Sequence, residues 1–245
     1  MTDLVTRRDD DGLCWLTLNR PDKLNALTVD MFRALRTHIQ ALYRDDSARV
    51  VILQGAGRCF SAGHDLADIA AGEEVPSRGW HSETLRLMEK LPKPVIAAVH
   101  GHCYTGALEV ALAADMIVAS SDAKFADTHA KWALTPIWGM SQRLPRRVGL
   151  ATAKRLMFTA ETILADEAGR IGLAELVFDA TRFTEQIEDF ARQMLSNSSF
   201  SHAANKKLLE ATDAGPLDAG LQWEVMETEG VGPDMQARLQ TFLKG

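Results

Sequence analysis

The chain has 245 residues, of which 46% are hydrophobic, and a formal net charge of −6 at pH 7. This length and apolar content are enough for a large core, in one domain or in one domain with a small appendage. The negative charge, with no run of Lys or Arg longer than two residues, argues against a surface that binds nucleic acid through its phosphates.

Short apolar runs rich in strand-forming residues alternate with helical patterns over most of the chain. The predicted strands are residues 13–18, 50–54, 94–100 and 116–119. The predicted helices are residues 28–43, 82–90 and 106–114, with Thr28 as the N-cap of the first. This alternation indicates parallel α/β construction, in which helices cover the faces of the sheet.

Strand patterns stop after residue 178, and only helical patterns follow. We predict helices at residues 183–195, 201–211, 217–227 and 233–242, separated by Ser/Asn or Gly/Pro breaks. So small a cluster of helices cannot bury its own apolar faces. We therefore expect the protein to associate with copies of itself.

Two glycine-containing segments carry the strongest chemical signal in the chain. They are CFSAGHDL at residues 59–66 and GHCYTGALE at residues 101–109. Each offers backbone N–H groups at a turn just before a helical pattern. Two such turns that face one another could hold a developing oxyanion, and Glu109 could move a proton beside it. That arrangement is suited to forming and quenching an enolate.

These segments, together with LNRPDKLNAL at residues 18–27 and SQRL at residues 141–144, resemble the enoyl-CoA hydratase/isomerase (crotonase) superfamily. The resemblance runs through nearly the whole chain. It implies an α/β fold built as a spiral of ββα repeats, with residues 1–182 as the catalytic core. It implies that the helical region 183–245 assembles homotrimers or homohexamers. It also implies an acyl-CoA thioester as substrate, with coenzyme A as part of the substrate and no separate cofactor.

The family motifs assign the oxyanion hole and the catalytic acid/base by position. The backbone N–H groups of His64 and Gly106 correspond to the oxyanion donors, and Glu109 corresponds to the general acid/base. The side chain of His64 is expected to line the substrate channel or to face the turn. Glu109 lies in an otherwise apolar helix, so burial should raise its pKa into the range useful for proton transfer.

The chain departs from the family pattern at His129, four residues after Phe125. Hydratases with two catalytic glutamates carry the second one at this position. An imidazole titrates near neutrality but is not isosteric with a carboxylate. It could position water with Glu109, serve as the acid partner, or only shape the acyl pocket. We do not expect Asp127 to orient His129, on the view that the two side chains point to opposite faces of a strand.

Other positions match the parts of the family that contact the substrate. The residues that correspond to the border of the adenine and ribose of coenzyme A are Lys23, Leu24, Ala62, Asp65 and Leu66. Ile137 replaces a family glycine, and the bulky Trp138 and Met140 follow. These three residues either reshape the acyl pocket or pack in the core.

We predict an enzyme that hydrates a 2-enoyl-CoA. The alternatives are a Δ3,Δ2-enoyl-CoA isomerase, which needs only one carboxylate, another crotonase-type lyase, and a non-catalytic acyl-CoA binder. No metal is expected, because His100 and His102 lack further ligands. No apolar stretch reaches the roughly 18 residues of a membrane span. Three cysteines without C-x-x-C spacing, and a first ten residues without an apolar core, indicate a cytoplasmic protein.

Overall fold

The computed structural model describes residues 3–213 and 215–244. Met1, Thr2, Ala214 and Gly245 lie outside the described residues. Each of the two predicted regions, 1–182 and 183–245, includes some of these residues. The N-terminal segment, in which we predict no leader, includes Met1 and Thr2. The boundary after residue 182 stays a prediction.

Two sheets organise the fold. The strands, in chain order, are β1 (Val5–Asp10), β2 (Leu13–Leu18), β3 (Val50–Gly55), β4 (Val95–Val99), β5 (His102–Tyr104), β6 (Met116–Ser120), β7 (Lys124–Ala126), β8 (Ile163–Leu164) and β9 (Leu176–Phe178). The larger sheet has the order β1-β2-β3-β4-β6-β9, and the smaller one β5-β7-β8. In the larger sheet β1 is antiparallel to β2 and the later neighbours are parallel. The predicted parallel construction is therefore confirmed in the larger sheet from β2 onwards, whereas β8 of the smaller sheet pairs antiparallel with β7.

Most helices lie where the sequence predicts them, but the three between residues 140 and 170 were not predicted. In chain order the helices are α1 (Val29–Leu42), α2 (Leu66–Ala71), α3 (Trp80–Glu89), α4 (Gly106–Leu112), α5 (Met140–Val148), α6 (Leu150–Thr159), α7 (Ala165–Arg170), α8 (Phe183–Leu195), α9 (Ser199–Leu209), α10 (Leu217–Glu227) and α11 (Met235–Lys244). Thr28 is confirmed as an N-cap, because its hydroxyl accepts a hydrogen bond from Met31 N at 3.2 Å. None of the helices in the described ranges is long and apolar enough to cross a membrane.

Helix α4 is shorter than the predicted helix at residues 106–114. The N–H groups of Ala113 and Ala114 bond to carbonyl groups three residues back rather than four, at 3.2 and 3.1 Å. These bonds tighten the last turn and end the helix at Leu112.

Successive turns of the chain repeat one pattern: a strand in the larger sheet, a strand in the smaller sheet, then a helix. The segment β4, β5, α4 is one such unit, and β6, β7 begin the next. Isolated bridges join Ser61 to Cys103 and Leu27 to His64. These bridges bring the turn at residues 61–64 to the junction of β5 and α4. The spiral therefore places the two predicted oxyanion segments side by side.

Helices cover both faces of the larger sheet, as the sequence pattern indicates. On one face, α1, α3 and α4 contribute to the main apolar core. On the other face, Ile187 and Ala191 of α8 pack against Trp15 and Ile52 of the sheet. Burial of apolar area on this scale is the main contribution to the stability of the fold.

The last helices leave much of their apolar surface exposed. Helices α9, α10 and α11 contain no fully buried residue among those described. Large exposed apolar side chains of this region include Leu217, Val225, Met226, Phe242 and Leu243. Exposed apolar side chains concentrated in one part of the chain favour a surface that a partner covers.

Candidate active site

The turn at Gly63 requires glycine. Its φ is +101°, and a Cβ there would lie 2.5 Å from the carbonyl oxygen of Tyr104. Only a residue without a side chain allows the backbone of the turn to approach the end of β5 so closely. This approach sets the position of the next residue, His64, opposite the start of α4.

The N–H groups of His64 and Gly106 lie close together. A Cβ on Gly106 would be 3.2 Å from His64 N, so the two segments are almost in contact. The bridge to Leu27 uses the carbonyl of Gly63 and the N–H of Asp65, which leaves the N–H of His64 unused. Gly106 is the first residue of α4, whose first-turn N–H groups have no partner within the helix. Among the described residues, neither N–H donates a hydrogen bond.

Two polar residues hold the first turn from behind. The side chain of Asn25 is buried and donates to the carbonyl groups of Ala56, Cys59 and Phe60 at 2.8, 2.9 and 3.2 Å. Ser61 Oγ donates to Asn25 O at 2.8 Å and accepts from Gly63 N at 3.1 Å. These bonds satisfy the buried polar groups of the turn and fix its shape.

The second turn is strained at Thr105. Its φ of +53° and ψ of −109° are unusual for a residue with a side chain. Thr105 Oγ1 lies 2.5 Å from Thr128 Oγ1 and accepts from Thr128 N at 3.0 Å. A conformation of this kind costs on the order of 1 to 3 kcal/mol and persists only where the surroundings hold it. Such strain is typical of functional sites, and here it directs the N–H of Gly106.

Glu109 is buried in α4, and its two oxygens have different surroundings. Its Oε1 accepts hydrogen bonds from Trp138 N at 2.9 Å and from Met140 N at 3.0 Å. Burial raises the pKa of this carboxyl, and the two backbone hydrogen bonds and nearby His129 partly oppose the rise. The predicted direction of the shift is confirmed. Oε2 lies 3.9 Å from His129 Nε2.

The expectation that Asp127 does not contact His129 was wrong. Asp127 Oδ1 is 2.6 Å from His129 Nδ1 and also accepts from His129 N at 3.2 Å. Residues two apart on a strand share a face, because it is consecutive residues that alternate. In addition, strand β7 ends at Ala126, and a 3₁₀ helix begins at His129. The local turn brings both side chains to the same side.

A cavity of about 550 Å³ joins these groups. His64, Gly106, Glu109 and His129 all line it, so the structure brings together the four predicted catalytic residues. Its apolar lining comes from Ala62, Leu66, Ile69, Trp132, Leu134, Ile137 and Trp138. Met140 does not line the cavity and is buried in the core. Of the three bulky residues, Ile137 and Trp138 therefore shape the cavity and Met140 packs in the interior.

The five residues matched to the coenzyme A border divide into two groups. Ala62 and Leu66 line the cavity, whereas Lys23, Leu24 and Asp65 do not. Leu24 O accepts a hydrogen bond from Ala62 N at 2.9 Å, so Leu24 holds the backbone of a residue that lines the cavity. Lys23 is exposed. Their contact with a ligand stays a prediction.

Asp65 has structural partners. Its Oδ2 accepts from Arg20 Nη1 at 2.6 Å, and its Oδ1 caps α2 by accepting from Ala67 N at 2.9 Å. The hydrogen bond from Arg20 lowers the pKa of Asp65. Arg20 lies in the motif at residues 18–27, but the motif alone did not show which carboxylate it would meet.

Sequence reasoning missed Glu73 and His81, which surround His64. His64 Nε2 is 2.9 Å from Glu73 Oε2, and its ring centroid is 4.6 Å from that of Trp138. The ring of His81 packs against Trp138 at 4.8 Å. The imidazole of His64 is therefore held by Glu73 on the cavity wall, while its backbone N–H faces Gly106. No local sequence pattern marks Glu73 or His81, because their contacts with His64 and Trp138 depend on how α2 and α3 pack in the fold.

We expect the protein to lose stability in acid because of the lowered pKa of His81. Burial, and secondarily the charge of His64, lower the pKa of His81 from 6.5 to about 4. Below pH 6.5 the unfolded chain binds a proton at this residue that the folded chain does not, so stability falls until about pH 4. The shift corresponds to at most about 3 kcal/mol. We expect His81→Leu to flatten the fall in the free energy of unfolding between these pH values, measured with urea.

Measurements at pH 8 provide the control for this prediction. There His81 is neutral in both states, so the difference between wild type and His81→Leu reports packing alone. An equal acid dependence in both proteins would show that His81 does not cause the loss.

Comparison with known proteins agrees with this geometry. A family model described as enoyl-CoA hydratase/isomerase matches residues 8–240. A short-chain-enoyl-CoA hydratase from Clostridium acetobutylicum is 35% identical over 213 residues, which are 85% of this chain and 82% of that protein. A 1,2-epoxyphenylacetyl-CoA isomerase from Escherichia coli strain K12 is 31% identical over an alignment of 252 positions, which covers 99% of this chain and 96% of that protein.

Solved structures give the same result. A crystal structure of an enoyl-CoA hydratase from Bacillus anthracis superposes with a TM-score of 0.93 at 31% identity, over 98% of this chain and 96% of that one. The predicted crotonase-type α/β fold with helices at the C-terminus is thereby confirmed. The chain belongs to the enoyl-CoA hydratase/isomerase family of the crotonase superfamily.

Proposed function

We propose that the protein is an enoyl-CoA hydratase, which adds water across the C2=C3 bond of a 2-enoyl-CoA thioester. The observation that carries the proposal is the pair formed by Glu109 Oε2 and His129 Nε2, 3.9 Å apart in the cavity that His64 and Gly106 also line. One water molecule can contact both side chains at that separation. One side chain can then accept a proton from water while the other supplies a proton to the substrate.

The N–H groups of His64 and Gly106 stabilise the negative charge that develops during the reaction. The thioester oxygen accepts hydrogen bonds from His64 N and Gly106 N. As the water oxygen bonds to C3, the π electrons of C2=C3 move to the C1–C2 bond and negative charge collects on the thioester oxygen. Fixed donors aimed at this oxygen stabilise the charge where it develops. Protonation of C2 then gives the 3-hydroxyacyl-CoA.

The substrate-binding residues of the proposal are Lys23, Leu24, Ala62, Asp65 and Leu66, which would border coenzyme A. The position of Ala62 and Leu66 on the cavity wall supports this placement. We propose no cofactor beyond the coenzyme A of the substrate, because two N–H donors, Glu109 and His129 can supply each proton transfer and the stabilisation of charge.

We also propose that the last helices assemble trimers or pairs of trimers in the cytoplasm. The exposed apolar side chains of α10 and α11 support self-association. Cys14, Cys59 and Cys103 are free and buried, as expected in a reducing compartment. Sedimentation equilibrium is expected to give three or six times the chain mass, and a monomer at micromolar concentration would contradict this assembly.

An isomerase is the second candidate, and one feature of the site favours it. Glu109 lines the cavity near the oxyanion donors, and a single carboxylate can take a proton from C2 and return it at C4. The similarity to an isomerase over 99% of the chain supports the same alternative.

Supplying a 2-enoyl-CoA and a 3-enoyl-CoA in separate reactions distinguishes the candidates. Hydration adds the mass of one water to the 2-enoyl-CoA, whereas isomerisation converts the 3-enoyl-CoA without a change of mass. If neither substrate changes but both bind, the hydratase and isomerase proposals both fail, which leaves another crotonase-type lyase or a non-catalytic acyl-CoA binder.

A further inference from the structure

Asp127 is a buried carboxylate next to the reacting groups. Only 1% of its surface is exposed, and His129 is also buried. A buried carboxylate is costly unless a charged or hydrogen-bonding partner compensates it. The partner here is His129, through the 2.6 Å contact at Nδ1 and the 3.2 Å bond from its N–H. In the part of the chain that the structure describes, the ion-pair partners of His129 are Asp127 and Glu109.

This contact fixes which nitrogen of His129 can give up a proton. An ionised carboxylate only accepts hydrogen bonds, so Asp127 retains the proton on Nδ1. The exchangeable proton is then the one on Nε2, the nitrogen that faces Glu109 Oε2. A carboxylate that orients an imidazole in this way selects its tautomer and stabilises its cationic form.

The pair also has the charge of a carboxyl group. An isolated imidazole changes from +1 to 0 when it loses its proton, whereas a carboxyl group changes from 0 to −1. The Asp127 and His129 pair, taken together, changes from 0 to −1. An imidazole alone at this position would have the wrong charge in both states, and Asp127 corrects it.

We propose that Asp127 is a positioning residue that makes His129 equivalent to a second catalytic carboxyl group in the hydration reaction. This inference rests on the proposed function and deepens it. Asp127 touches neither water nor substrate, and it acts through His129.

The proton transfers of the proposed reaction balance, with one proton taken from water and one given to C2. The proposed starting state has ionised Asp127, ionised Glu109 and a His129 ring that carries both protons, so the net charge of the three is −1. Glu109 Oε2 takes a proton from water as the C3–O bond forms, and His129 Nε2 gives its proton to C2. The cluster then holds ionised Asp127, neutral His129 and protonated Glu109, again −1. Transfer of the proton from Oε2 to Nε2 restores the starting state.

Three variants test this equivalence of charge. Asp127→Asn keeps an oxygen acceptor of the same size but removes the charge, and we expect the rate of hydration of a 2-enoyl-CoA to fall about 100-fold. His129→Glu alone places three carboxyl groups together, and we expect a similar loss. The double variant Asp127→Asn/His129→Glu returns the net charge to that of wild type, and we expect it to recover to within about tenfold of the wild-type rate.

Asp122→Asn is the matched control, because it makes the same change on an exposed residue just before β7. The dissociation constant for a saturated acyl-CoA, which cannot react, reports whether each variant folds and binds. The other titratable side chains that line the cavity are His64, Glu73, Tyr104 and Lys131. They are unchanged in every variant.

One readout separates a role in proton transfer from a role in packing. The nitrogen NMR spectrum of neutral His129 should show the proton on Nδ1 in wild type and a mixture of tautomers in Asp127→Asn.

The inference and the proposed function fail in different ways. A wild-type protein that hydrates no enoyl-CoA overturns the proposed function, whatever the tautomer of His129. A wild-type protein that hydrates 2-enoyl-CoA, with Asp127→Asn equally active or the double variant no better than either single one, overturns the role of Asp127 alone.

Discussion

Glu109→Gln is expected to reduce kcat for hydration about 1,000-fold, while the dissociation constant of a saturated acyl-CoA changes less than about threefold. The amide oxygen of glutamine can still accept the hydrogen bonds that Glu109 Oε1 receives from Trp138 N and Met140 N. The group that exchanges a proton is lost. Steady-state kinetics and a binding titration measure the two quantities.

Glu83→Gln is a suitable control for this result. It makes the same change on the exposed side of α3, away from the cavity. If Glu109→Gln retained the wild-type kcat, Glu109 would not be the acid/base. If acyl-CoA binding were lost together with activity, Glu109 would have a structural role instead.

Gly106→Ala is expected to lower kcat/KM between about 100- and 1,000-fold, the usual effect of losing one oxyanion donor. A Cβ at this position would lie 2.5 Å from Trp138 Cζ3 and 3.2 Å from His64 N. Either the indole or one of the two turns must move. The indole also packs against the ring of His64, so we expect either movement to disturb the convergence of the two N–H groups. The same kinetic assay measures the loss.

Two further variants show whether a loss of rate in Gly106→Ala comes from the clash at this position. Gly220→Ala adds a methyl group where no atom lies within 4 Å, and it should leave the rate unchanged. Gly106→Ala/Trp138→Phe removes the closest clash, so a recovery of rate would identify the indole as the group that displaced the turn. Full activity in Gly106→Ala itself is incompatible with an oxyanion hole at this position.

Long regular elements could be predicted from the sequence because their signals are local. The predicted helices at residues 183–195 and 217–227 coincide with α8 and α10, and Thr28 caps α1 as expected. Strand β1 was missed because its sequence VTRRDD contains four charged residues and pairs as an antiparallel edge. Strands β5, β7 and β8 have two or three residues each, too few for an alternating pattern.

The candidate site shows the same division between local and tertiary information. Gly63, Gly106 and Glu109 could be identified because each stands in a motif with its own turn or helix. The contact between Asp127 and His129 depends on where β7 ends, and that boundary was not visible in the sequence. The contact between His64 and Glu73 depends on the packing of α2, which no spacing in the sequence indicates.

The absorbance of a conjugated 2-enoyl-CoA, followed after addition of the protein, tests most directly whether Glu109 and the two N–H donors form a hydratase. We expect a rapid loss of absorbance with wild type and almost none with Glu109→Gln. In water enriched in ¹⁸O, the product should carry the heavy oxygen at C3. Stable absorbance across short, medium and aromatic acyl groups, in protein that still binds acyl-CoA, would contradict hydration.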